Sequence, residues 1–180
     1  MKIVYEYSYL GGSEILTVKY PHIDKDIQEV IHHINVQHTI MKKKTGQSKL
    51  LYDPKVMNSQ FMEAFRARGF SEIKDTYTIS IPESDIQIKG VSKQVNFIKE
   101  RVLVEVQFGP PAFMFYDMAK FHYFFNEGKA DVGVEIIPCH ALQSKMSSDV
   151  SYGEQLVDDI ERLKGNFLTV PMKVGLVDID

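Results

Sequence analysis

The sequence predicts a single mixed α/β domain across residues 1–180, and three observations carry that expectation. At roughly 150 residues per domain, 180 residues make one folding unit. A chain of that length buries a core without covalent staples. Its composition, 44% hydrophobic, 11% aromatic and 25% charged, is that of a folded chain rather than a disordered or fibrous one. Segments of alternating apolar and polar residues interleave with segments of helical period along the whole length, with no internal repeat and no low-complexity tract.

Residues 3–20 read as two β runs around Gly11-Gly12, a pair suited to the positive φ values of a tight hairpin turn. Pro21 then opens a helix. Ile23, Ile27, Val30, Ile31 and Ile34 recur at helical spacing, and Asp24 and Asp26 sit in the first turn, where the helix dipole favours negative charge. Lys42, Lys43, Lys44, Thr45 and Gly46 break that pattern and read as an exposed basic loop. Asp53 and Pro54 start a second helix as N-cap and first residue; Met57, Phe61 and Phe65 stack four apart, and Gly69 closes it.

Beyond Gly69 the period becomes two, with Tyr77, Ile79 and Ile81 on one side of a strand and Thr76, Thr78 and Ser80 on the other. A turn-rich stretch at 82–85 leads into a polar stretch carrying Ile86, Ile88 and Val91. The strongest β signal is 101–108, where Val102, Val104, Val106 and Phe108 face one way and Leu103, Glu105 and Gln107 the other. Gly109, Pro110 and Pro111 stop it. Residues 112–126 form a helix dense in Phe, Tyr and Met, and 131–137 a second buried strand ended by Pro138. Ser151 with Glu154 makes a capping box for a last helix through Leu163, and 172–177 is the final strand.

The net charge of −3 argues at first against a nucleic-acid binder, whose usual footprint is basic. The one cysteine, Cys139, excludes a disulfide framework and a Cys-rich zinc site, and reads as a small apolar residue near a strand end. No apolar run approaches 18 residues and the opening MKIVYEYSYL lacks the features of a secretory signal, so the expected setting is cytoplasmic with no membrane contact.

Glu105 and Gln107, two apart on a strand, leave the same face. A carboxylate and an amide on an otherwise apolar strand need partners if buried, and a hydrated divalent cation is a suitable one; a half-solvated edge strand is the ordinary alternative. His32 and His33 diverge by about 100° on a helix. With His38 they read as surface groups, for want of spaced Cys or acidic partners. Lys42, Lys43, Lys44 and Lys49, and Arg66 and Arg68, could track phosphates, although a charge run is more often a solvated loop. On the 112–126 helix, Met114, Met118, Phe121 and Phe125 form one stripe and Phe113, Tyr116 and Phe124 another, which reads as one core face and one subunit interface.

The run Arg101-Val-Leu-Val-Glu105-Val-Gln107-Phe108-Gly109, with Asn96-Phe97-Ile98-Lys99 upstream, resembles the active-site segment of the BglII/BstYI group of type II restriction endonucleases. That group carries Glu-Val-Gln where the wider PD-(D/E)XK nuclease superfamily has Glu-x-Lys. The resemblance extends in order through Pro21-His22-Ile23 and Ile27-Gln28-Glu29, Leu51-Tyr52-Asp53-Pro54 with Asn58, the strand from Asp131 to Ile136, and Met146-Ser147-Ser148 with Ser151, Tyr152 and Glu154. It looks closer to BstYI than to BglII. It implies a restriction-endonuclease-like mixed central sheet flanked by helices, and Mg²⁺-dependent hydrolysis of double-stranded DNA at a palindrome containing GATC, with a flanking purine and pyrimidine. Asn96, Glu105 and Gln107 would be catalytic. Asn96, Glu105 and the Val106 backbone would hold the metal, and Gln107 would help position the attacking water. Ser147, Ser148 and Asp149 would enter the major groove, although leading into the capping box explains Ser147 equally well; Pro110 stands where BstYI has a base-contacting Lys. A homodimer is implied, matching the two-fold of the DNA, with a cognate DNA methyltransferase as functional partner.

The family places Asp where this chain has Asn96. A neutral carbonyl holds Mg²⁺ more weakly than a carboxylate, so hydrolysis is expected to be weakened unless another carboxylate, such as Asp85 or Glu100, compensates. Two alternatives follow: a hydrolysis-deficient sequence-specific DNA-binding protein on the same fold, and a structure-selective nuclease of the superfamily.

Overall fold

The computed structural model describes residues 1–36, 38–42, 48–163, 165 and 169–179. In chain order the elements are β1 (Lys2–Tyr9), α1 (Gly12–Lys19), α2 (Pro21–His33), β2 (His38–Lys42), β3 (Ser48–Tyr52), α3 (Pro54–Ala67), β4 (Ser71–Ser80), β5 (Gln87–Lys99), β6 (Val102–Val106), α4 (Pro111–Asn126), β7 (Val132–Pro138), α5 (His140–Gln143), α6 (Gly153–Leu163) and β8 (Met172–Asp178). Six strands form one mixed sheet in the order β1-β8-β7-β6-β5-β4, and β2 and β3 form a separate antiparallel pair. The pairs β6·β7 and β7·β8 are parallel; the outer pairs are antiparallel.

Helices cover both faces of the sheet. Phe121 of α4 packs onto Gly133, and Gly153 of α6 onto Ile137 and Leu176, which places α4 and α6 on the face that β7 presents through its odd-numbered residues. On the opposite face Phe65 of α3 packs against Phe97, and Lys173 of β8 reaches Asp24 of α2 at 2.9 Å. Buried strand residues on both faces explain why β6, β7 and β8 read as near-continuous apolar runs. Asp53 caps α3 as expected, accepting from the Lys55 N–H at 2.9 Å, and Gly69 ends the turn beyond that helix at φ +80°.

The structure corrects several expectations. The hairpin over residues 3–20 is instead a strand followed by a helix. Gly11 turns the chain at φ +76° and Gly12 starts α1, so close to the Met172 backbone that a Cβ there would lie 2.2 Å from it. The partner of β1 is β8, almost the full length of the chain away. Lys42 ends β2 rather than opening a loop, while Lys43, Lys44, Thr45 and Gly46 lie outside the described residues. The polar stretch after residue 85 is most of β5, whose pairing with β4 extends well past the short segment it shares with β6. No capping box forms at α6: the Ser151 hydroxyl is buried without a hydrogen-bond partner among the described residues, and Glu154 accepts from the His140 N–H at 2.8 Å. On α4, Phe124 belongs to the core, whereas Phe113 and Tyr116 are exposed.

Candidate active site

β5 and β6 run side by side, so Asn96 faces Glu105 across the antiparallel pair. The Asn96 N–H donates to Glu105 Oε1 at 3.3 Å. The nine-residue spacing between the two is thus the length of a tight hairpin, Glu100 supplying its positive φ at +53°. Asn96 itself is exposed; Glu105 is only 2% exposed, roofed by α4. Neither compensating carboxylate is at hand. Asp85 lies in the β4–β5 turn, roughly 30 Å along the strand from Asn96, and Glu100 is engaged by His22 at 2.8 Å.

Three residues that were not singled out in the sequence complete this site: Asp117 and Lys120 from α4, and Glu135 from β7. The Lys120 ammonium bridges Glu105 Oε1 and Asp117 Oδ1, the second contact at 2.6 Å. The Gln107 amide donates to Asp117 Oδ2 at 2.5 Å, and its carbonyl accepts from the Gly109 N–H at 2.8 Å. Both polar ends of Gln107 are therefore in use, and positioning a water would require one of them to be released. Glu135 sits level with Glu105 on the parallel neighbour strand, fully buried, with no hydrogen-bond donor on either oxygen among the described residues.

Electrostatics follow from this burial. Desolvation pushes the Glu105 carboxyl up to about 7 against the opposing charge of Lys120, with Asp117 adding to the rise. Burial alone would discharge Lys120, but Glu105 and Asp117 overcome it and raise its affinity for the proton. Desolvation, then Asp117 and Glu105, drive Glu135 well above the carboxylate range, so it is held neutral. Once protonated it can donate to Asp117, which stands within reach. The signal for these residues was available: Asp117 and Lys120 sit beside Met114, Met118 and Phe121 on the buried face of the helix, where an unpaired charge is costly.

The residues expected to enter the major groove lie in a different loop. The Ser151 N–H donates to the Gly109 carbonyl at 2.9 Å and the Tyr52 N–H to the Lys145 carbonyl at 3.0 Å, tying the 145–151 loop to the end of β6 and to β3. Ser147 and Asp149 then line a cleft of about 430 Å³ with Asp53, Lys55, Asn58 and Phe108. Ser148 and Asp149 are exposed, and a hydrogen bond from the Ser147 hydroxyl lowers the Asp149 carboxyl from its ordinary value. Arg68 is not available to phosphate, being paired with Glu29 at 2.7 Å and Asp26 at 3.3 Å. His32 and His33 are exposed and His38 stacks on Tyr52; among the described residues no group of three or more His, Cys, Asp or Glu is placed to hold a metal. Nor, among them, is any helix long and apolar enough to cross a membrane.

A family model described as restriction endonuclease BglII/BglIII matches residues 4–174. Among solved structures, the crystal structure of restriction endonuclease BglII complexed with a DNA 16-mer superposes with a TM-score of 0.78 at 21% identity, over 100% of this chain and 79% of that one. The crystal structure of free BglII gives 0.70 at 21% identity, over 100% and 81%. At this identity the superpositions establish the fold. A comparison with curated protein sequences gave no match.

Proposed function

Because the chain belongs to the BglII/BglIII restriction endonuclease family, we propose that it is a homodimeric, Mg²⁺-dependent enzyme cutting duplex DNA at a palindrome containing GATC, with one catalytic domain per chain. Family membership makes it a type II restriction endonuclease acting on DNA site-specifically; the ion, the sequence and the dimer are our reading. Our reading of the outer base pair is a purine and a pyrimidine, with Pro110 in place of a base-contacting Lys as the position where that pair would be read differently. A methyltransferase of the same specificity would protect the host DNA.

The observation that carries the reading is the pairing of Asn96 and Glu105 on adjoining strands, with both donors to Glu105 falling on Oε1. Among the described residues nothing hydrogen-bonds Oε2. One free carboxylate oxygen, the Asn96 amide carbonyl and the Val106 backbone carbonyl form a sparse, all-oxygen set, which fits a Mg²⁺ ion that keeps most of its waters. Held there, the ion would supply a water of lowered pKa and positive charge for the phosphate. The chain's own residues do the rest. Glu105 supplies the anionic ligand, Asn96 a neutral one, and Gln107 fixes Asp117 from below. Ser147, Ser148 and Asp149 offer short hydroxyls and a carboxylate to base edges, the carboxylate suiting the amino donor of cytosine. Lys42, Lys43 and Lys44 would contact phosphates.

Digestion of a defined plasmid with Mg²⁺ or Mn²⁺, followed by run-off sequencing of the ends, tests this. Discrete ends at GATC-containing palindromes are expected, and Asn96→Asp should raise the rate at least tenfold by restoring a charged ligand. A gel shift without cleavage by either chain supports the second reading, a DNA-binding protein that has lost hydrolysis, which the neutral Asn96 favours. Fragments independent of sequence would replace both with a structure-selective nuclease.

A further inference from the structure

We propose that Lys120 is a positioning residue for the metal-binding carboxylate: from α4 it clamps Oε1 of Glu105 and so aims Oε2 at the ion. The inference rests on the metal-dependent reading above and adds to it a residue outside the active-site strands. Lys120 bridges Glu105 and Asp117, Asp117 takes the Gln107 amide, and Gln107 is fixed by the Gly109 N–H. The chain of contacts thus leaves β6 at Glu105, crosses to α4, and returns two residues later at Gln107, just past the end of β6. It can close because the two spacings match: residues two apart on a strand are separated by about 6.7 Å, and residues three apart on a helix by about 5 Å on one face.

The links through Asp117 and Glu105 are buried, and the one to Gly109 is half-buried. Lys120 is only 8% exposed, and its ammonium is engaged by the two carboxylates. Its two ion pairs and the Tyr116 ring, 5.6 Å from the ammonium, account for its position: Asp117 anchors it, and Glu105 is what it holds. With Gln107 fully engaged and Asn96 offering Glu105 only its backbone N–H, Lys120 is the one side chain among the described residues that hydrogen-bonds the Glu105 carboxylate. A ligand fixed by a second layer of hydrogen bonds loses less freedom when the ion arrives, and removing such a layer typically costs 10–100-fold in metal affinity.

The test is Mn²⁺ binding by titration without DNA, in the chain as it stands and in the Asn96→Asp chain, each with and without Lys120→Met, a substitution of similar length that lacks the donor. Lys120→Met is expected to weaken Mn²⁺ binding 10–100-fold while sequence-specific DNA binding in the absence of metal stays within about twofold. A charge-balancing role alone would alter stability and leave the ion's affinity unchanged, which overturns the proposal. Tighter Mn²⁺ binding also overturns it, by making Lys120 a competitor for the ion's place. If Lys120→Met does not fold, Asp117→Asn decides, since it leaves Lys120 present but loosens its anchor: weaker Mn²⁺ binding supports the clamp and unchanged binding overturns it. If neither parent binds Mn²⁺, the metal-dependent reading fails and takes the clamp with it; if both bind and the variants match them, only the clamp fails.

Discussion

Glu135 shows at the scale of one residue how this site is balanced. A carboxyl buried beside Glu105 and Asp117 can stay there only as the neutral acid, and the proton it keeps on folding makes stability depend on pH. Its ordinary value is 4.5, and the folded value lies well above that. Above about pH 4.5 the unfolded chain therefore releases a proton that the folded chain retains, and stability falls as pH rises. Glu135→Gln cannot titrate, and its amide can donate to Asp117. The variant is expected to gain on its parent between pH 5 and pH 8, reaching about 1–3 kcal/mol at the upper end. Urea denaturation at both pH values measures the gap, and a gap that does not change with pH would mean that Glu135 titrates alike in both states. The site's polar strand residues were legible because Glu105 and Gln107 interrupt an apolar run. Glu135 was hidden inside a second such run, and Asp117 and Lys120 among aromatic residues that drew attention to packing instead.

At the scale of elements, most of the fold followed from period and punctuation. The helices after Pro21 and Pro54 begin where proline can take the first helical position, and β6, β7 and β8 stand out as apolar runs bounded by Gly and Pro. What the sequence could not show was decided by contacts far along the chain. Gly11-Gly12 suits a hairpin locally, but Gly12 is small because α1 rests on the backbone of β8. β5 is too polar to announce itself and exists because β4 pairs with it. Gly12 and Gly69 therefore separate two uses of glycine. Gly12→Ala should cost more than about 3 kcal/mol, because a methyl group would meet backbone that cannot give way. Gly69→Ala meets nothing within 4 Å and should cost only about 1 kcal/mol, for its positive φ. Chemical denaturation of both variants checks the order, and equal losses would mean that α1 can lift off the sheet.

Over the whole molecule, the net charge of −3 counts exposed and paired groups alike. Buried or paired acids, among them Asp26, Asp117 and Asp131, present no free negative field to a duplex, so an acidic total is compatible with a basic contact surface. Replacing Lys42, Lys43 and Lys44 with Gln should weaken binding to all sequences alike and lower the slope of log affinity against log salt by about 0.9 per lost phosphate contact. Fluorescence anisotropy across a salt series measures this; an unchanged slope would place the cluster away from DNA.

The β1–β8 pairing sets the timing of folding during synthesis. Tyr9 leaves the ribosome early, yet its partner Met172 is made more than 160 residues later. At about 5–20 residues per second that wait is on the order of ten seconds. Throughout it, β1 has no strand to join and β7 has a bare edge, so the sheet that carries Glu105 stays open until β8 is made.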